Sequence, residues 1–281
     1  MDRERLRWKA SVTAARVLSE HGIVSLPVDP IALAAKVGIQ VTAKPVSARG
    51  VSGMLIHSGD KFAIAYATHI TSKGFQHFSV AHELGHYFLE GHPNAVFDRR
   101  GIHQSRANFA SDDPYEVEAD FFASALLMPE NLFVEAISRA GDGIAAIESL
   151  SNLCVTSLTA TAIRFAQLTE STAAIVMSKG KKVDYCFMSK GLLEIAGANR
   201  VEKGELLPPG TTTCEFNKDD GRVRRGDRDS GRSELQDWIG GRHRVELIEE
   251  VVGLGEYGKT LTVLTAAEAI DAESHSRRKK S

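Results

Sequence analysis

The residues in this chain best suited to chemistry are His82, Glu83 and His86, which form the pattern H-E-x-x-H. An α-helix turns by about 100° per residue, so side chains four positions apart lie on one face, and two imidazoles at this spacing can bind one metal ion. Glu83 lies beside them, where a carboxylate can act as a base. Segment 75–90 is apolar and unbroken, and burying these three polar groups without a partner is unfavourable. We therefore predict a buried helix that binds Zn²⁺, in preference to an amphipathic helix with two ordinary histidines.

A third protein ligand is needed, because a catalytic zinc site usually has three of them and an open position for water. His92 is one candidate, at the distance found in the pattern H-E-x-x-H-x-x-G-x-x-H. That pattern requires a glycine where this chain has Leu89, and Leu89 and Glu90 favour continuation of the helix. Gly91 can still end the helix and leave His92 in a loop near the site. His92 therefore remains an alternative ligand.

Glu116 is the preferred third ligand. It lies in segment 114–129, PYEVEADFFASALLMP, whose apolar residues recur at helical spacing before a closing proline. Asp120 follows one helical turn later, where it can accept the second imidazole N–H of a histidine ligand and fix its tautomer. Glu118 is a further alternative ligand, but we interpret it as an acidic residue favoured by the helix dipole. We predict Glu116 as the ligand and Asp120 as the partner of a ligating histidine.

The two motifs together resemble the ImmA/IrrE family of metallopeptidases. The resemblance rests on FSVAHELGHY, from Phe78 to Tyr87, followed in order and at a matching distance by EVEADFFASALLMP, and it covers about residues 5–165. It implies one zinc ion per chain with the ligand set of thermolysin-like peptidases, at His82, His86 and Glu116. It also implies Glu83 as the general base.

The same resemblance implies a substrate class. Members of the family cleave or inactivate helix-turn-helix repressors of the XRE type, which relieves repression of stress, mobile-element or defence genes. An XRE-type repressor is therefore the expected protein substrate and partner of this chain.

A long polar connection, residues 91–113, separates the two motifs. A tetrahedral intermediate needs a group that stabilises its oxyanion, and His92 and His103 in this connection are candidates. Tyr87 and Tyr115 flank the connection and are candidates as well. For any single one of them an ordinary solvated position is the stronger interpretation, so these residues are predicted only as substrate or oxyanion contacts of second rank.

The elements that must position these residues indicate an α+β fold. Alternating and β-branched residues in segments 39–46, 51–58 and 61–67 predict a small antiparallel sheet beside the zinc helix. Residues 54–56 could form an exposed edge that pairs with an extended peptide, or a plain structural strand. Segment 218–234 is densely charged and almost without apolar residues, which predicts a mobile loop.

Four regions follow from these patterns. Residues 1–130 form the predicted zinc metallopeptidase domain, and residues 131–170 form a helical, helix-turn-helix-like extension. Residues 171–267 form a mostly β domain that we interpret as a sensor or docking module, and residues 268–281 form a disordered basic tail. Because the second helix of the extension offers Arg164 as its one cation, the sequence argues against direct nucleic-acid binding.

Composition excludes several classes of protein. The net charge of −2 and the hydrophobic fraction of 43% are those of an ordinary globular protein, without a basic field that would attract nucleic acid. The sequence contains no apolar run of about 20 residues that could span a membrane. The N-terminus is charged throughout and has no secretory signal, which predicts a cytoplasmic protein with three reduced cysteines.

Two functions remain. The first is a zinc-dependent endopeptidase that cuts a protein substrate. The second is a non-catalytic regulator that contains zinc and binds its repressor without cleavage. Glu83 favours the endopeptidase, because a structural zinc site has no use for a free carboxylate beside two ligands.

Overall fold

The computed structural model describes residues 2–44, 51–106, 112–197, 199–241 and 244–267. These residues divide into two compact units. The first contains Met1–Ala136 with Ser149–Ala160, and the second contains Ile137–Glu148 with Thr161–Ser281. The domain boundaries predicted at residues 130 and 170 stay predictions, and the predicted basic tail, 268–281, lies outside the described residues.

The first unit begins with two helices, α1 (Arg3–Glu20) and α2 (Pro30–Lys36). The side chain of Asp29 accepts hydrogen bonds from the backbone amides of Ile31 and Ala32, and Pro30 occupies the first helical position. Both features stabilise a helix start, since they satisfy free backbone amides and fix the backbone angle. The start of α2 is therefore determined by its local sequence.

A four-stranded sheet follows, built from β1 (Gln40–Lys44), β2 (Val51–Ser58), β3 (Lys61–Ala67) and β4 (Ile102–Arg106) in the order β1-β3-β2-β4. The pair β2/β3 is antiparallel, as predicted. Strand β4 was not predicted, and it pairs antiparallel with the other side of β2. Because β3 and β4 occupy both sides of β2, β1 pairs with β3 instead, and its parallel direction corrects the fully antiparallel sheet that was predicted.

The position of β2 corrects the sequence analysis. Residues 54–56 lie in an interior strand that pairs on both sides, so they cannot form the free edge considered for a peptide substrate. The edge strands of this sheet are β1 and β4.

Three helices carry most of the predicted site residues: α3 (Lys73–Phe88), α4 (His92–Ala95) and α5 (Pro114–Leu127). Helix α5 packs against both α1 and α3. At the crossing of α3 and α5, a Cβ atom on Gly85 would lie 3.2 Å from the Cα of Ala119, so the absence of a side chain permits a close approach. The two motif helices are thus held face to face.

Three further helices complete the helical region: α6 (Glu130–Ala140), α7 (Gly143–Cys154) and α8 (Leu158–Leu168). Ser157 accepts a hydrogen bond from the amide of Ala160 at the start of α8. The side chain of Arg164 in α8 is buried, with 6% of its surface exposed. Arg164 therefore does not present the free cation that contact with a DNA backbone would require.

The second unit contains a five-stranded antiparallel sheet in the order β6-β5-β9-β8-β7. Its strands are β5 (Ala173–Lys179), β6 (Lys182–Met188), β7 (Arg228–Glu234), β8 (Glu246–Gly253) and β9 (Thr260–Ala266). Its short helices are α9 (Lys190–Ala196), α10 (Thr212–Phe216), α11 (Asp220–Arg225) and α12 (Leu235–Ile239). The predicted α+β class with a β-rich C-terminal region is confirmed.

The segment 218–234 was wrongly predicted as a mobile loop, because it forms α11 and β7. Its opposite charges pair with each other and with neighbouring strands. Arg222 lies 2.9 Å from Asp229, and Arg232 on β7 lies 2.8 Å from Glu246 on β8. A strand at the edge of a sheet can be polar on its exposed side, so low apolar content did not exclude a strand here.

Within the described residues, no single helix is long and apolar enough to cross a membrane, and α5 and α6 reach that length and composition only when taken together across the bend between them.

Candidate metal centre

The two histidines of the H-E-x-x-H motif converge on one point. His82 and His86 lie one turn apart on α3, and their Nε2 atoms are 3.0 Å apart. His82 is 6% exposed and His86 is fully buried. This arrangement follows from the helical repeat, which places residues at i and i+4 on one face.

Glu116 lies opposite these two rings, on α5. Its Oε2 is 3.4 Å from His82 Nε2 and its Oε1 is 3.4 Å from His86 Nε2. One carboxylate thus faces both imidazole nitrogens, which is the arrangement that a shared divalent cation requires.

His103 completes the group from the edge strand β4. Its Nε2 lies 3.2 Å from Glu116 Oε1, and its ring centroid lies 4.2 Å from that of His86. One ligand atom from each of His82, His86, His103 and Glu116 lies within 4.8 Å of the others, so the four residues could hold one metal ion.

Strand β4, which carries His103, has little signal in the local sequence. Strand β4 buries His103 and Ser105 and exposes Gln104, so its buried face is polar. Alternation of apolar and polar residues, which predicts a half-buried strand, is therefore absent. His103 and Ser105 lie on the buried face on either side of the exposed Gln104, and this alternation is the pattern that could have revealed the strand.

The pKa shifts of the four residues indicate a site that favours a positive charge. Burial lowers the pKa of His82, but hydrogen bonds to Asp120 and Glu116 outweigh this effect and raise it to about 10. Burial lowers the pKa of His86 to about 3 despite its contact with Glu116. Hydrogen bonds from the histidines hold the pKa of Glu116 well below its usual range, although burial opposes them. Three imidazoles and one ionised carboxylate in a buried cluster are a donor set that fits a divalent metal such as zinc, whose binding would release the proton that His82 holds in its absence.

Asp120 lies on the far side of His82. Its Oδ1 is 2.9 Å from His82 Nδ1. A proton on Nδ1 is donated to this carboxylate, so Nε2, which faces Glu116 and His86, is the nitrogen that can bind a metal once its own proton has left. Asp120 thereby sets the tautomer that a metal ligand needs.

Glu83 is buried beside the group, with none of its surface exposed. Within the described part of the chain, neither of its carboxylate oxygens has a hydrogen-bond partner of good geometry, although Ser105 is close enough to lower its pKa. Burial raises its pKa, and the neighbouring His82 and His103 oppose that shift. A buried, unpaired carboxylate is unfavourable unless a cation or a bound ligand compensates it, so Glu83 indicates that something else occupies its surroundings during function.

Gly53 on β2 makes room for Glu83. A Cβ atom at position 53 would lie 2.6 Å from Glu83 Oε1, closer than such atoms can approach. The sequence analysis did not single out Gly53, because nothing in the local sequence shows which side chain a strand will face. The interior strand β2 therefore packs directly against the Glu83 carboxylate.

His92 and Glu118 lie behind His86, outside the group of four. His92 Nδ1 is 3.1 Å from His86 Nδ1, and His92 Nε2 is 3.0 Å from Glu118 Oε2. Both ring nitrogens of His92 are thus engaged away from the group, while Glu116 contacts it directly. Glu118 is 4% exposed, so its interpretation as a simple first-turn acidic residue was wrong.

The two tyrosines are not part of the group. The ring of Tyr115 lies 5.0 Å from that of His92, in an edge-to-face arrangement. The ring of Tyr87 packs against Phe62 and Phe88, at 5.0 Å and 4.9 Å. Their prediction as substrate contacts stays a prediction.

Comparison with known proteins finds a matching peptidase family and a solved structure of similar fold. Residues 34–164 match the family model of Peptidase_M78, described as the IrrE N-terminal-like domain. No curated protein matches the chain significantly. Among solved structures, a Mycobacterium tuberculosis transcriptional regulator is similar with a TM-score of 0.57 and 14% sequence identity, over 95% of this chain and 82% of that one. At this identity the similarity establishes a common fold.

Proposed function

Since residues 34–164 form an IrrE N-terminal-like domain of the Peptidase_M78 family, we propose that the protein is a zinc-dependent endopeptidase. The family is of the metallopeptidase type, and the His and Glu cluster is its candidate metal site. The observation that carries the proposal is Glu83, a fully buried carboxylate without a hydrogen-bond partner in the described residues, beside the metal group. A purely structural site has no role for such a group.

His82, His86 and Glu116 hold the zinc ion in this proposal. When bound, zinc supplies positive charge that makes water more acidic and polarises a peptide carbonyl. Glu83 takes the proton of the attacking water and then donates it to the nitrogen of the leaving amine. Burial raises its pKa, which makes the carboxylate a stronger base for the proton of water.

His103 is the residue that we assign to the oxyanion of the tetrahedral intermediate. Its imidazole belongs to the group of four, and the contact with Glu116 raises its pKa although burial opposes that shift. A histidine that carries a proton can donate a hydrogen bond to developing negative charge. Strand β4, which carries His103, is an edge strand of its sheet, so an extended peptide bound beside it would lie next to this side chain.

The substrate that we propose is an XRE-type helix-turn-helix repressor, whose cleavage relieves repression in a stress, mobile-element or defence response. Support comes from the resemblance to the ImmA/IrrE family. The fold similarity to a protein described as a transcriptional regulator is consistent with a regulatory role. The β-rich C-terminal region would then serve as a sensor or docking module.

A second function is favoured by one observation. If His103 binds the metal as a fourth ligand, the site has no open position, and closed four-ligand sites are typical of structural zinc. The protein would then be a regulator that contains zinc and binds its repressor without cutting it.

The test of the proposed function begins with the metal content of the purified protein. The protein is then incubated with the XRE-type repressor encoded nearest to its gene, with and without a chelator, and the products are analysed by mass spectrometry. A defined fragment that appears only with metal present is expected. Metal-loaded protein that binds the repressor and leaves it intact would favour the non-catalytic regulator.

We predict that His103→Ala retains about one zinc per chain and lowers the cleavage rate by about 10²–10³-fold, the usual effect of removing one oxyanion donor. Gln104→Ala is the matched control, because Gln104 is the exposed neighbour on β4 and its side chain points the opposite way. Metal content is measured by atomic absorption and cleavage by fragment yield. Loss of zinc in His103→Ala would make His103 a ligand and favour the second function.

We also predict that Gly53→Ala impairs catalysis without removing the metal. The new Cβ would meet Glu83 Oε1 at 2.6 Å, so the carboxylate must move. A displacement of about 1 Å in a catalytic group can lower a rate by about 10²-fold. Met54→Ala is the control, since its side chain lies on the opposite face of the same strand. Equal activity of Gly53→Ala and the wild type would show that the position of Glu83 is not critical.

A further inference from the structure

A chain of polar contacts extends from the back of His86 to the surface of the first unit. His86 Nδ1 lies 3.1 Å from His92 Nδ1, and His92 Nε2 lies 3.0 Å from Glu118 Oε2. Lys9 on α1 follows, with its Nζ 3.1 Å from Glu118 Oε1. His86 and His92 are fully buried and Glu118 is 4% exposed, whereas the Lys9 side chain is 39% exposed. We call His92, Glu118 and Lys9 the relay.

The relay permits one consistent placement of protons. The Nε2 atom of His86 faces Glu116 and His82, so it must keep its lone pair to bind a metal. The proton of a neutral His86 is then on Nδ1 and is donated to Nδ1 of His92. His92 consequently carries its own proton on Nε2, which is donated to Glu118. Every donor in this arrangement has an acceptor, and the carboxylate at its end fixes the direction.

Local structure brings His92 to this position. Helix α3 ends at Phe88 because Leu89 adopts an extended backbone, and Gly91 then adopts a left-handed backbone with φ 88°, a conformation that favours glycine, immediately before α4. The amide of His92 then donates to the carbonyl of Leu89 at 3.2 Å. The chain turns back on α3, so that His92 lies against His86 instead of in a solvated loop.

The relay also joins helices that are distant in the sequence. Lys9 belongs to α1 and also donates to the backbone carbonyl of Glu90, at 3.3 Å. Glu118 belongs to α5, the helix that carries Glu116. Helix α5 thus carries Glu116, which faces His86 Nε2, and also Glu118, which reaches His86 Nδ1 through His92.

We propose that His92 and Glu118 are positioning residues that fix the tautomer and ring orientation of His86 and thereby set the metal affinity of the site. Asp120 makes the equivalent contact with His82 directly, at 2.9 Å. For His86, the carboxylate of Glu118 acts through the imidazole of His92 instead. The proposal rests on the metal-binding part of the proposed function and is independent of the substrate.

The test measures metal affinity by competition with a chelator, using full-length protein and zinc alone. His92→Phe keeps an aromatic ring of similar size but removes both nitrogens, and it is expected to weaken zinc binding by about 10–100-fold. His92→Gln offers a carbonyl oxygen and an amide N–H in place of the two nitrogens, and it is expected to recover part of that loss. Glu118→Gln removes the charge but keeps an acceptor, so a smaller loss is expected.

A spectrum and a control variant distinguish a role in positioning His86 from a general effect on protein stability. The visible spectrum of the cobalt-substituted protein reports the geometry of the bound metal, and we expect it to change in His92→Phe. Ser79→Ala is the packing control, because Ser79 is a buried polar residue of α3 whose hydroxyl bonds to the carbonyl of Phe75, outside the relay. Its zinc affinity and cobalt spectrum are expected to match the wild type.

The proposed role of the relay would be wrong if His92→Phe bound zinc as tightly as the wild type. It would also be wrong if Ser79→Ala lost as much zinc affinity as His92→Phe. An unchanged cobalt spectrum in His92→Phe would contradict it as well. A wild-type protein that takes up no metal would overturn the proposed function itself. That result is distinguishable from failure of the relay, which requires a wild-type site that binds metal normally.

Discussion

Replacement of Glu83 by glutamine is expected to lower the rate of peptide cleavage by about 10²–10⁴-fold, the usual contribution of a general base. Glutamine has nearly the same shape but cannot accept the proton of the attacking water. Metal content should stay at the wild-type level, because the ligand atoms of His82, His86 and Glu116 are unaffected. The comparison combines fragment yield from the repressor with the zinc content of each protein.

The same substitution should leave the metal-free protein at least as stable as the wild type. Glu83 is fully buried and has no hydrogen-bond partner within the described residues, and burial raises its pKa. Burial disfavours this carboxylate more than His82 and His103 stabilise it, so its removal takes away a net unfavourable contribution to folding. Thermal unfolding in the presence of a chelator measures this effect. Lower activity with equal or higher stability is the pattern typical of a functional residue.

Glu90→Gln is the control for Glu83→Gln, because Glu90 lies two residues after the end of α3 and is exposed. Its cleavage rate and zinc content should equal those of the wild type. Undiminished cleavage in Glu83→Gln would remove the proposed base and with it the mechanism. Loss of zinc in Glu83→Gln would instead place Glu83 among the ligands.

Replacement of Glu116 by alanine is expected to have the largest effect on metal binding. Its two oxygens face His82 and His86 at 3.4 Å, and its Oε1 also contacts His103 at 3.2 Å. The loss of zinc affinity should exceed the roughly 10–100-fold expected when only a partner of a ligand is removed. Cleavage should be lost in parallel. Chelator competition and fragment yield are again the measurements.

This substitution also distinguishes the ligands that the sequence left open. If His92 were the third ligand, His92→Phe would weaken zinc binding more than Glu116→Ala does. We expect the opposite order, because His92 engages both of its nitrogens with His86 and Glu118. Asp112→Asn serves as the control for loss of an acidic group, since Asp112 is exposed shortly before α5. Wild-type zinc affinity in Glu116→Ala would contradict the assignment.

The features that the sequence determined by itself depend on short-range periodicity. The pairing of His82 with His86, and of Glu116 with Asp120, follows from one helical turn, which the order of residues specifies directly. The start of α2 at Pro30 is likewise encoded by Asp29, whose side chain caps the adjacent backbone. The α+β class and the likeness to the ImmA/IrrE family rest on patterns of this local kind.

The features that the sequence did not reveal depend on contacts between distant segments. His103 reaches the metal group because β4 pairs with β2, and Gly53 faces Glu83 because β2 lies in the interior of the sheet. Segment 218–234 forms a helix and a strand because Asp219 caps α11 and because β7 pairs with β8 along its whole length. Strand order and cross-strand pairing leave no periodic trace in one sequence.

The roles of His92 and Glu118 illustrate this limit most clearly. Both were visible in the sequence as alternatives to Glu116, since a histidine or a carboxylate at these positions has the chemistry of a ligand. Only the turn at Gly91 and the packing of α5 against α1 and α3 place them behind His86. The sequence thus determined which groups can bind a metal, and the tertiary structure decided which of them face the site and which support it, because that choice depends on how separate helices and strands pack together.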